Sequence, residues 1–238
     1  MANLPASERT NRVTRALDGV RAVLLSTVTI GILVVACFVA IDLREGAHIH
    51  PGYGFLRWNL LLAVVPLVLA HALAWTSRRA WSRLAVPVLA LAWLLFLPNA
   101  PYLISDLVHL DDGASLVNVL TLGLVAVTGL LIGVKSVQIV QRIVERRFGV
   151  AWGWRTVQAT AVLTTLGIYM GRVLRWNSWN VLSRPHVLLD TVMGSLDEPR
   201  RLAFALAATL ISALIYYTIY RALAGKPSPA GPAPLRDL

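Results

Sequence analysis

The chain has one cysteine in 238 residues, Cys37, so it can form no internal disulfide and no multi-cysteine metal site. Charged residues are scarce at 14%, and no stretch reads HExxH or another dense metal-ligand pattern. Acids are scarcer than bases, 12 against 22, which leaves a net charge of +10. Apolar residues fill the space instead: 57% of the chain is hydrophobic, mean hydropathy is +0.66, and several separate apolar runs reach about 20 residues. A soluble domain cannot shelter that much apolar surface, so the composition predicts an all-α polytopic membrane bundle.

Six spans are expected, at residues 22–41, 55–75, 84–97 with an extension to 110, 116–134, 156–174 and 202–220. Residues 1–21 read as a polar cytoplasmic segment, 22–221 as one transmembrane domain, and 222–238, with four prolines in the tail, as a disordered cytoplasmic end. With six spans both termini share a side, which collects 15 of the 22 basic residues and four of the 12 acids. The positive-inside rule makes that side cytoplasmic and accounts for the surplus charge, so no nucleic-acid partner is needed. The lipid bilayer is the one partner the sequence names; a protein partner stays unidentified. Cys37 closes a VVAC tetrad that faintly resembles a lipoprotein cleavage box, but the apolar run continues through Phe38, Val39 and Ile41, as a packed helical cysteine requires.

Polar residues inside the apolar chain are the next signal. The stretch 97–110, LPNAPYLISDLVHL, holds two prolines, an Asn, an Asp and a His. The apolar run before it, 84–97, covers only about 21 Å as a helix, short of a hydrocarbon core of about 30 Å. The spacing predicts a helix broken at membrane depth, with Asn99 capping a new half-helix and Pro101 in its first turn. On an α-helix Tyr102, Asp106 and His109 then fall on one face with Ser105 beside them, and Leu103, Leu107 and Leu110 on the other. Pro66 is expected to kink the second span, and Gly129/Gly133 and Gly167/Gly171 form small-xxx-small pairs that let helices approach closely. The fifth span ends in GRVLRWNSWN, residues 171–180, and a short interfacial helix with His186 and Asp190 is expected at 185–193.

These stretches, LPNAPYLISDLVHL and GIYMGRVLRWNSWN together with WNLLLAVVP of the second span, resemble the bacterial membrane family catalogued as domain of unknown function 1361. The resemblance rests on Asn99, Pro101, Tyr102, Asp106, His109, Arg172, Arg175, Trp176 and Asn177. It implies a multi-pass bacterial membrane protein and supplies no activity, substrate or cofactor. Family members often read Thr-Asp and Ser-Trp-Asp where this chain has Ser105 before Asp106 and Asn180 after Trp179, so a carboxylate at 180 is not available here.

Ionisable groups at membrane depth cost about 2.5–3.5 kcal/mol each at a helix centre, so they find partners or line water. Asp106 is expected to pair with Arg172 or Arg175. A simple pin between helices needs one acid and one base, whereas this face offers several cations, a histidine and indole rings, as an anionic ligand would use. Three readings follow. In the first, a membrane-embedded enzyme acts on an anionic, lipid-linked substrate. Asp106 and His109 exchange protons, while Asn99, Tyr102, Arg172, Arg175, Trp176 and Asn177 bind the ligand. In the second, the chain transports or flips an anion or lipid; in the third, it is a structural or assembly subunit in which the polar groups only join helices. No cofactor and no metal is expected; His48, His50 and His71 read as ordinary loop and interfacial histidines.

Overall fold

The computed structural model describes residues 6–46, 54–78, 82–110, 115–172 and 199–224, with single positions between 183 and 190. Every regular element among the described residues is helical. In chain order these are α1 (Ala6–Leu24), α2 (Thr27–Gly46), α3 (Gly54–Thr76), α4 (Ser82–Phe96), the single turn α5 (Asn99–Tyr102), a 3-10 segment (Leu103–His109), α6 (Leu116–Phe148), α7 (Val150–Arg172) and α8 (Pro199–Ala224). Among the described residues five stretches are long and apolar enough to cross a membrane: Thr27–Glu45, Gly54–Thr76, Leu84–Val108, Leu116–Phe148 and Ala203–Ala224. The expected sixth is α7, whose 23 residues suffice in length but include Arg155, Gln158 and several threonines, which lower its hydropathy.

The bundle is built around α6. At 33 residues it runs about 50 Å, and it packs against α2, α3, α5, the 3-10 segment, α7 and α8. Its start is capped by Ser115, whose side chain accepts from the Asn118 N–H at 3.3 Å. Gly149 ends it at φ +93, a backbone shape that favours glycine, and turns the chain back into α7 after one residue. Sequence reading stops this helix at 134, where Lys135 interrupts the apolar run. The structure carries it on to Phe148 because Val137, Ile139 and Val140 continue the buried face. On α3 the buried stripe Leu56, Leu60, Ala63, Leu67, Ala70, Leu73 and Ala74 follows the helical period, and the helix packs against α4 and α6.

Buried polar side chains join the helices, as they must where no water is present. Ser136 on α6 donates to the Pro66 carbonyl of α3 at 3.0 Å and accepts from the Trp93 indole of α4 at 2.6 Å. Cys37 is fully buried and its thiol donates to Thr128 at 3.3 Å, which fits a packed cysteine. The Tyr220 hydroxyl donates to Gln141, tying α8 to α6.

Three expectations change. Residues 6–24 form a helix of their own, and the first span starts at Thr27, where Ser26 accepts from the Thr29 N–H at 3.0 Å. The third span is wound through its prolines: Pro98 has helical angles (φ −58, ψ −27), Leu97 donates to Trp93 at 2.9 Å and Tyr102 to Pro98 at 3.0 Å. The hydrophobic span is therefore 25 residues, Leu84–Val108, long enough to cross the membrane. Asn99 does not cap a new helix. Proline removes backbone donors here, and the Asn99 side chain supplies one in their place, to the Phe96 carbonyl at 2.9 Å. The segments 47–53, 173–182 and 225–238, which hold the loop histidines, Arg175, Trp176, Asn177 and the tail, lie outside the described residues, as does most of the expected interfacial helix.

Candidate functional site

A further change concerns winding, and it decides how the candidate residues face. Residues 103–109 wind as a 3-10 helix, in which positions three apart are eclipsed. Asp106 therefore lines up with Leu103, which is fully buried against α6, and with position 109, rather than with Tyr102. Asp106 is 1% exposed, and the Asn59 side-chain amide on α3 donates to its Oδ2 at 3.2 Å. Tyr102 belongs to the preceding α-helical turn, and its carbonyl accepts from Ser105 at 2.6 Å.

Three glycines let this segment sit where it does. A Cβ on Gly129 of α6 would lie 2.8 Å from Leu103 Cδ1 and 2.9 Å from its Cβ. One on Gly133 would lie 3.4 Å from Pro101, and one on Gly167 of α7 would stand 2.5 Å from Pro98 Cγ. The proline turn is thus clamped between α6 and α7 by positions that carry no side chain.

Beside the clamp lies a cavity of about 300 Å³ bounded by the beginning of α3, the end of α4, α5 and the last turns of α7. Its walls are Leu62, Leu94, Leu95, Leu163, Leu166 and Met170, and its polar groups are Asn59, Asn99, Tyr102 and the Trp58 indole. It extends to Gly171, the residue before Arg172. Asn59 thus lines the cavity and holds Asp106, which itself does not reach the lining. The size is at the lower end for ligand pockets.

Of the expected site residues, the structure gathers Asn99 and Tyr102 at this cavity and sets Asp106 one side chain behind it. The side chains of His109 and Arg172, and all of Arg175, Trp176 and Asn177, lie outside the described residues, so the expected Asp106–arginine pair does too. The sequence places Asn59 at the same membrane level as the candidate residues, since LRWN occurs at 56–59 and again at 174–177, but gives no sign that Asn59 and Trp58 belong to the site itself. Nor does it point to Arg44, which is 1% exposed near the end of α2 and donates to Asn118 of α6 at 2.6 Å. Nearby, Arg57 bridges Asp42 at 2.5 Å and Glu45 at 2.6 Å, joining the end of α2 to the start of α3. The described residues contain no group of three or more His, Cys, Asp or Glu side chains that could hold a metal.

No curated protein and no solved structure matches the chain. A family model does: the one described as "Protein of unknown function (DUF1361)" matches residues 58–215, a range that includes every residue lining the cavity. That range is about two thirds of the sequence, and the chain belongs to this family.

Proposed function

We propose that this integral membrane protein binds an anionic amphiphile, in the first instance a lipid-linked anion, in the cavity beside the proline turn. The observation that carries the reading is the cavity's division into leucine and methionine walls on one part and Asn59, Asn99, Tyr102 and Trp58 on another. Apolar walls suit a hydrocarbon tail, and amide and phenol groups suit an oxygen-rich head. Arg172 follows the cavity's last residue directly and Arg175 comes three positions later in the chain; in this reading the two arginines supply the charge for the anion.

Binding is favoured over proton transfer at Asp106, because that carboxylate is buried behind Asn59. Asp106 is a positioning residue that orients the Asn59 amide; His109 is the remaining candidate for acid/base chemistry. In this reading the site faces the outer side of a bacterial cytoplasmic membrane with both termini inside, and the excess of basic residues on the terminal side supports that orientation.

The test is native mass spectrometry of the purified protein, with Arg172→Ala and the cavity-filling Leu166→Trp as comparisons. A retained anionic lipid lost in both variants is expected. A protein that carries no adduct, or an adduct unchanged in both, overturns the reading and leaves the polar groups as joints between helices.

A further inference from the structure

Helix α1 has an apolar face that the bundle leaves exposed. At 100° per residue the positions of Val13, Ala16, Leu17, Val20, Val23 and Leu24 occupy an arc of about 120°. Leu17, Val20 and Val23 are at least half exposed (50%, 56% and 63%). Positions 12 and 21, both arginine, flank the arc on its two sides, where a long basic side chain can reach outward from an apolar surface. Arg21 pairs with Asp18 of the polar face at 2.9 Å. Arg9 stands on the line of the arc one turn before Val13 and ends it.

The next helix sets the position of α1. Helix α2 is free of charged residues from Thr27 to Ile41, about 22 Å, and carries Asp42, Arg44 and Glu45 in its last turns; this is shorter than a hydrocarbon core of about 30 Å, so Thr27 lies at or just inside the membrane boundary. Only Leu25 and Ser26 separate the two helices. Ser26 donates its N–H to Val23 at 3.1 Å and its side chain caps α2, so α1 ends and α2 begins anew at that boundary. The start of the apolar arc is thus within about 20 Å of the acyl region.

We infer that α1 lies in the plane of the membrane interface, its apolar arc in the acyl boundary and Arg12 and Arg21 at the phosphates of anionic phospholipids. Four arginines against Glu8 and Asp18 give the helix the charge that an anionic leaflet attracts. The helix lies outside residues 58–215, which the family model matches, and away from the residues that line the cavity.

The test uses the full chain in a Cys37→Ser background, with a nitroxide at Leu17→Cys, Val20→Cys, Asp18→Cys or Ala22→Cys. Each is reconstituted in phosphatidylcholine vesicles with and without phosphatidylglycerol. Labels at 17 and 20 are expected to be several-fold more accessible to oxygen than to a water-soluble nickel complex, with the reverse at 18 and 22. Arg12→Gln with Arg21→Gln, or removal of phosphatidylglycerol, is expected to reduce that contrast. Four sites equally accessible to nickel would put α1 in water, and labels at 17 and 20 shielded from both reagents would put its face against protein; either overturns the inference. A contrast indifferent to phosphatidylglycerol overturns the anionic-lipid assignment.

Discussion

Replacing Gly129 by alanine tests whether the proline turn is clamped. The added methyl would stand 2.8–2.9 Å from two atoms of Leu103 and closer still to the Ala100 carbonyl oxygen, against an ordinary contact of 3.4 Å or more. The leucine tip can rotate away. The carbonyl belongs to α5, and the segment must shift by about half an ångström or more. It cannot shift freely, because Pro98 abuts Gly167 on α7. Overpacking of this kind costs about 1–3 kcal/mol. In an uncrowded helix interior the same change gains about 0.5–1 kcal/mol from reduced backbone freedom. Gly123 on the same helix has nothing within 4 Å of a built Cβ, so Gly123→Ala should be neutral or stabilising. Gly167→Ala pushes the turn from the other side, and the Gly129→Ala/Gly167→Ala pair should cost more than the sum of its members by about 0.5 kcal/mol or more. The assay is reversible unfolding in mixed micelles followed by tryptophan fluorescence. Equal stability of Gly129→Ala and Gly123→Ala, or strict additivity of the pair, would refute the clamp.

Ser136→Ala should cost about 1–3 kcal/mol in the same assay, since it strands the buried Trp93 indole N–H. Combined with Trp93→Phe it should add less than the sum of the two. Asn118→Leu removes an acceptor from the Nε–H of the buried Arg44 guanidinium and should cost about 1.5–3 kcal/mol, while Asn118→Asp, which keeps an acceptor, should retain most of the stability. Cys37, with no exposed surface, should resist a maleimide in the folded protein and react fully after denaturation; rapid labelling of the native state would contradict its placement between α2 and α6.

The spans were legible in the sequence because lipid demands long apolar runs, and Gly129, Gly133 and Gly167 were legible because close helix approach demands small residues. Pro98 and Pro101 drew attention to the right place but suggested the wrong backbone. A proline signals a missing donor, and it does not reveal that Asn99 supplies a substitute and that the chain stays wound. The same blindness rotated the site: α and 3-10 windings of one sequence put Asp106 beside different neighbours, and only packing against α6 selects between them. Helix α1 escaped notice because its arginines dominate its average polarity, although the apolar arc was present in the spacing. Arg44 and Asn118 lie 74 residues apart, and no local pattern links them.

The central place of α6 has a consequence for the order in which the protein is made. Helix α2 meets α3 only marginally and rests chiefly on α6, and the 3-10 segment likewise packs mainly on α6, while Pro98 is closed in by Gly167 of α7. On a ribosome α2, Pro98 and the 3-10 segment all emerge before α6 does. The α3–α4 pair can associate at once, but α2 and the proline turn enter the membrane without their main partner and must wait there, held in place by lipid, until the long helix arrives.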